Sequence, residues 1–425
     1  MEERTAALFP GVNLTMLRTD RFHSGCFLIQ LQRPLRREDV SRNALLMPVL
    51  RRGTRTRPDM ESLSRALDSL YGASLDPSLQ QRGEIVSIGL QAVFPDDRFL
   101  PGEEQVLERI IALSGELLLD PATRGGLLRD DYVRSEGQNL HDRVAAAVNN
   151  KRGYALKRAR ELMYAGEAYG VYPLGEAEEA LRIRHRPLTE NYRLVLQTSP
   201  MELFYCGSAE PERVEAAVRR AFMTLPGGSG GRHVPATVPA GKAGELRHVT
   251  EEMDVEQGNL VIGFRRNRNG DADQPALMVF NELYGGGPAS RLFLNVREKR
   301  SLCYYVGSSL DQFKESMTVS AGIGFDRAEE AEEAILRELA RLAAGDIPEE
   351  DLDTARKSVA SVFLSALDSP LSIGSFRLSQ SLLGAGGDLR QFSERVSGVT
   401  AEAVARIASE MQPDLVYFLR RGEGE

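Results

Sequence analysis

Residues 284–309 read YGGGPASRLFLNVREKRSLCYYVGSS, and the rest of the chain is legible outward from this stretch. Three glycines, Gly285, Gly286 and Gly287, follow an apolar run and mark a place where backbone approaches backbone closely. In SRLFLNVREKR, Leu292, Val296 and Lys299/Arg300 fall at helical spacing, which predicts a short helix with one buried face. Arg297 and Tyr304 stand seven residues apart, at that helix and just past it. Arginine offers a planar fork for a carboxylate or carbonyl oxygen, and tyrosine a neutral donor. A plainer reading stays open: Arg297 ties the helix to Glu298 or Glu282, and Tyr304 packs at the start of a strand.

The pattern GGG-x-x-SRLF-x-x-VREK-x-x-x-x-Y resembles the motif in the C-terminal half of the pitrilysin/insulinase superfamily of zinc peptidases. In that family the arginine and tyrosine reach into an active site built by the other half. The resemblance implies the same placement for Arg297 and Tyr304, with Gly285, Gly286, Gly287, Ser290 and Arg291 supporting them. It makes the N-terminal half the place to look for chemistry.

At 425 residues the chain is long enough for two or more cores. Hydrophobic residues at 42% and charged residues at 27% describe an ordinary globular composition. A net charge of −8 and the lack of a basic run with interleaved aromatics argue against nucleic acid as a partner. No window approaches the length of a membrane span, so no membrane is expected either. Cys26, Cys206 and Cys303 are far apart, odd in number and set among apolar neighbours, which predicts buried free thiols in a reducing compartment. The start, MEERTAALFPGVNLTML, lacks the basic and apolar runs of a signal peptide. The expected location is the cytoplasm.

In order, the chain reads as two copies of one plan. The β-rich run GCFLIQLQ (25–32) and the alternating run EIVSIGLQAVF (84–94) predict strands, and GNLVIGFRR (258–266) and MTVSAGIGF (317–325) repeat them in turn. Tyr71-Gly72 and Tyr284-Gly285 pair at an offset of 213, and Thr189 and Thr400 at 211. A nearly constant offset favours duplication. Residues 226–248, rich in Gly and Pro, read as a linker between domains at 1–225 and 249–425. The expected class is α+β: two homologous domains, each an antiparallel-rich sheet with helices packed on one face. The halves differ in a helix at 42–51 in the first and the SRLF–VREK–Y segment in the second.

The active peptidases carry H-x-x-E-H on the helix that 42–51 resembles: two histidines bind zinc and the glutamate activates water. Counted back from Gly53-Thr54, those positions fall on Ala44, Met47 and Pro48, and none is a ligand or a base. Glu136, in VRSEGQNLHDRV, resembles the third ligand, 88 residues past Pro48. It is read as a helix-face glutamate paired with Arg134 or Arg143. Pro48 predicts a helix bent or ended there. No metal or other cofactor is expected, since catalytic zinc needs three protein ligands. Gly285–Gly287 lacks the Lys-Ser/Thr of a phosphate loop, no G-x-G-x-x-G follows a strand, and Gly227–Gly231 is read as linker and not as a nucleophile elbow.

TDRFHSGCFLIQLQRPL, ALLMPVLRRGT and LDSLYGASL resemble the zinc-less subunits that bacteria pair with an active paralogue. The resemblance implies a catalytically silent chain that joins an H-x-x-E-H-bearing partner in a peptide chamber. Two alternatives stand beside it: a peptide-binding module using a sheet edge, and a scaffold homodimer.

Overall fold

The computed structural model describes residues 1–102, 104–227, 235–267 and 273–422. Its first half runs β1 (Glu2–Phe9), β2 (Val12–Arg18), β3 (Ser24–Pro34), α1 (Val40–Leu50), α2 (Met60–Asp68), β4 (Ser74–Arg82), β5 (Ile85–Pro95), α3 (Val106–Leu119), α4 (Asp130–Ala146), α5 (Lys151–Met163), α6 (His185–Thr198), β6 (Met201–Gly207) and α7 (Pro211–Ala221). The second half runs β7 (Arg247–Glu252), β8 (Gly258–Arg266) and α8 (Gln274–Asn281), then two π-helical segments, Glu282–Gly286 and Leu292–Glu298. It continues with β9 (Cys303–Asp311), β10 (Ser316–Ile323), α9 (Ala328–Ala343), α10 (Glu349–Ala366), α11 (Pro370–Leu382), α12 (Ala401–Glu410) and β11 (Met411–Arg420).

Beside a short ribbon pairing Thr123–Arg124 with Leu127–Leu128, there are two large sheets: one has the order β1-β2-β6-β3-β5-β4 and the other, read from its far edge, β7-β11-β8-β10-β9. Apart from the extra edge strand β1, the two orders are the same. A parallel contact recurs too: β2 with β6, and β7 with β11. The offset is 234 residues between Ser24 and Gly258 and 210 between Met201 and Met411. It shrinks along the chain because the first half spends more residues between its later elements.

That drift corrects the pairing of Tyr71 with Tyr284. Tyr71 stands three residues before β4, whereas Tyr284 stands nineteen before β9. The residue placed like Tyr71 is Ser301, two before β9, and both hold the left-handed backbone, with φ of 57° and 51°. Thus α1 answers to α8, and α2 to the Leu292–Glu298 segment. Neither is an insertion peculiar to its half.

The chain divides into two compact units, and not by one cut. The first holds residues 1–145, 171–236 and 369–379; the second holds 146–170, 237–368 and 380–425. In each, alternation sets one sheet face toward helices of its own half. Phe27, Ile29 and Leu31 of β3 enter the first core with α1 and α3. The other face is covered as well, by a helix from the opposite half of the sequence. In the first unit, the α11 residue Gly374 lies so close to Leu28 and Phe204 that a Cβ would stand 2.6 Å from Leu28 Cδ1. Arg82 donates through Nε to Ser379 Oγ at 2.9 Å and through Nη2 to Ser375 Oγ at 3.0 Å. In the second unit α5 packs Ala155, Ala159 and Met163 on Val261, Leu415 and Tyr417. With both faces covered, every residue of β8 is buried. A strand buried on two sides reads as a continuous apolar run, and GNLVIGFRR does so until its arginines.

Residues 228–234 of the expected linker lie outside the described residues. Its far end is part of the second unit: Ala240 is buried, its amide donates to Lys314 O at 2.7 Å, and Lys314 Nζ donates to Val238 O at 2.6 Å. Strand β7 begins at Arg247, inside the expected boundary at 248. Among the described residues no single helix is long and apolar enough to cross a membrane.

Candidate functional site

In the first unit the site begins on α1. Ala44 and Met47 are buried, so the positions of a histidine and a glutamate hold a methyl group and a thioether turned into the core. Pro48 sits inside α1 and does not end it. The helix runs to Leu50, with the amide of Arg51 bonded to Met47 O at 3.0 Å and that of Arg52 to Val49 O at 3.2 Å. The proline removes its own amide bond, and the helix continues past it.

Glu136, on α4, is bound by neither Arg134 nor Arg143. Its Oε1 accepts from Arg52 Nη1 at 3.0 Å and its Oε2 from Asn139 Nδ2 at 3.1 Å. Arg134 pairs instead with Asp130 one turn earlier, at 2.6 Å. Among the described residues no group of three His, Cys, Asp or Glu side chains could hold a metal ion. These residues do not fit zinc: two of the three positions offer no donor atom, and the carboxylate at the third already binds a guanidinium.

The second unit carries the glycine–arginine–tyrosine segment. At Gly285 a Cβ would meet Ser308 Oγ at 2.7 Å and Leu292 Cδ1 at 2.8 Å, so this glycine lets the chain lie against β9. At Gly286 and Gly287 a Cβ would press on the Glu282 carboxylate, at 2.8 and 2.3 Å. Ser290, buried, accepts the amide of Phe293 at 3.4 Å and so begins the next helical turn. That turn is wider than α, with the amide of Lys299 bonded to Leu294 O, five residues back. Such π segments are rare and occur frequently at functional sites.

The two arginines of the motif do different work. Arg291 is 7% exposed, donates to Asp346 O at 2.9 Å and pairs with Asp351 at 3.3 Å. It ties its turn to the loop before α10. Arg297 lies at the surface. Its Nε donates to Tyr304 O at 3.0 Å, its Nη1 pairs with Glu298 at 3.2 Å, and its guanidinium rests over the Phe293 ring at 4.5 Å. Glu282 is not its partner; that carboxylate accepts from Ser358 Oγ at 2.7 Å.

Tyr304 does not pack at the strand start. Register slips between Cys303 and Tyr305, which leaves Tyr304 as the bulged residue of edge strand β9 and 73% exposed. Bulges re-aim side chains, and here the bulge directs the phenol out. Arg297 and Tyr304 line an open cleft of about 580 Å³ together with Ser301, Leu302, Asp326 and Arg327. Cys303, beneath them, has its thiol pushed up to about 11 by burial, against the pull of Arg297, so it stays neutral near pH 7.

Reading residues in sequence missed Arg51 and Arg52. The signal was two consecutive arginines ending an apolar helix in LLMPVLRRGT. Arg51 Nε donates to Leu75 O on β4, and Arg52 holds Glu136, 84 residues away.

Comparison with known proteins adds to this geometry. Residues 184–359 match the family described as Peptidase M16 inactive domain. The chain is 30% identical over 418 residues to the probable inactive metalloprotease YmfF of Bacillus subtilis (strain 168), covering 97% of each. Among solved structures, a conserved protein from Enterococcus faecalis V583 superposes with a TM-score of 0.90 at 22% identity, over 100% of both chains. The ferredoxin protease FusC, solved as a mutant in complex with Arabidopsis ferredoxin, gives a TM-score of 0.69 at 17% identity, over 97% of this chain and 44% of that one. With α1 stripped of its metal ligands and the second-unit motif intact, the chain is a zinc-less, non-catalytic member of the M16, or pitrilysin/insulinase-like, metallopeptidase family.

Proposed function

We propose that this chain is the silent subunit of a two-subunit peptide-handling peptidase, lending Arg297 and Tyr304 to a partner that carries H-x-x-E-H. The observation that carries this reading is that the pair lines one open cleft, with Tyr304 exposed and Arg297 half-exposed beside it. An arginine lining the cleft, tied by Nε to Tyr304 O, and a phenol 73% exposed on a bulge put two donor side chains on one surface. The chain's own metal positions hold Ala44, Met47 and Pro48. Donors aimed at a developing negative charge act wherever the attacked carbonyl lies, including on another subunit. The neighbour FusC supports the arrangement by its length. This chain covers 44% of it, so one such polypeptide has room for two pairs of units. The three buried free cysteines support a reducing, cytoplasmic setting.

The test is to mix the chain with the H-x-x-E-H paralogue of the same genome and follow both assembly and cleavage of an unstructured peptide. The expected result is a one-to-one complex whose turnover exceeds that of the paralogue alone and falls when Arg297 is replaced by alanine. A complex that never forms, or one indifferent to Arg297, overturns the proposal.

A further inference from the structure

The carboxylate of Glu136 is not free to bind a metal, and the way it is occupied is specific. Its side chain is 12% exposed, in a place where an isolated negative charge is costly. Both oxygens are engaged, one by Arg52 and one by Asn139. The Arg52 guanidinium is held in turn over the Tyr132 ring, at 5.2 Å. That ring is fixed by its hydroxyl, which donates to Pro58 O, and Arg129 lies over it at 4.2 Å. Arg52 is therefore a positioned group and not a stray surface side chain. It also starts from a telling place. It lies four residues past Pro48, one turn beyond the position where a metal-binding member of the family has its second histidine.

We propose that Arg52 serves as the built-in cation of this site, neutralising Glu136 in place of a metal ion. A guanidinium carries its charge at every physiological pH and its fork suits a carboxylate. It cannot be chelated or exchanged. The first unit would then be sealed by its own side chain as well as stripped of ligands, and its integrity would owe nothing to metal supply.

The full chain grafted with Ala44→His, Met47→Glu and Pro48→His provides the test, with zinc itself titrated by calorimetry. If Arg52 holds the third ligand, adding Arg52→Met to the graft should tighten zinc binding by about 10- to 100-fold, the usual scale for changes around metal ligands. Equal zinc affinity with and without Arg52 overturns the proposal. Should the graft not fold, the ungrafted chain gives the second measurement. Arg52→Met should lower Tm, and Arg52→Met combined with Glu136→Gln should lower it no further than the single change, because the two side chains act as one unit. Additive shifts overturn the proposal.

Discussion

The end of α1 and the end of α8 occupy the same place in two copies of one fold, and they have been filled in opposite ways. Carrying the 234-residue offset forward sets Arg51-Arg52-Gly53 against Gly285-Gly286-Gly287. In the first unit, long charged side chains turn inward: Arg51 takes the Leu75 carbonyl and Arg52 takes Glu136. Edge strand β4 is blunted further by Pro77, which has no amide to offer. In the second unit the same point is bare backbone, drawn close to β9. The charged and phenolic groups sit further on, Arg297 half-exposed on the Leu292–Glu298 segment and Tyr304 pointing outward from the bulge in β9. One copy has closed on itself, while the other keeps donors at its surface. Chemistry has been lost from the first copy by replacement as well as by deletion.

The widest break with this comparison would come from turnover in the assembled complex. Arg297→Ala should reduce it by roughly tenfold to a thousandfold, the scale of one lost oxyanion donor. The isolated chain should lose only about 1 kcal/mol, since Arg297 makes one bond to a carbonyl and a rim ion pair. Unchanged turnover alongside a large fall in Tm would make Arg297 a structural residue like its neighbour.

That neighbour supplies the next test. Arg291→Ala should cost about 1–3 kcal/mol, because it strips a buried guanidinium from Asp346 and Asp351. Thermal melting would register it, while turnover per surviving complex should stay the same. Two arginines six residues apart would then separate cleanly, one acting on stability and the other on rate.

Glycines sharpen the same contrast. Gly285→Ala forces a methyl within 2.8 Å of β9 atoms and should destabilise by about 1–3 kcal/mol through overpacking. Gly72→Ala meets nothing within 4 Å but holds φ at 73°, so its cost should be conformational, about 1 kcal/mol. Denaturant midpoints would rank them. A reversed order would mean that the glycine run is looser than its contacts imply. Smallest of all should be Tyr304→Phe, which removes one oxygen from an exposed side chain and should leave stability within about 0.5 kcal/mol.

Much of this was legible before the structure. The β-rich apolar runs GCFLIQLQ and GNLVIGFRR identified the central strands, because a strand covered on both faces buries nearly every residue. The empty metal positions could be read residue by residue. The Leu-Tyr-Gly repeat misled because the same three letters end helices of different kinds. Tyr71 turns into the left-handed region, whereas Tyr284 stays in the helix, fully buried, and donates to Ile335 O at 3.0 Å. Arg52 and Glu136 lie 84 residues apart, and no local pattern joins them. The helices on the second face of each sheet were invisible for the same reason. Their apolar stripes do not say which half of the chain they cover.

Those crossed helices bear on how the protein is made. The first unit counts residues 369–379 among its own, so Leu28, Phe204 and Arg82 have no cover when the ribosome has finished residue 236. Another 143 residues must emerge first, and at about 5–20 residues per second that wait is roughly 7 to 29 seconds. During that interval the nascent first unit shows water an apolar strip on one side of its sheet, a natural point of engagement for a chaperone. A gene cut at the linker would make that exposure permanent.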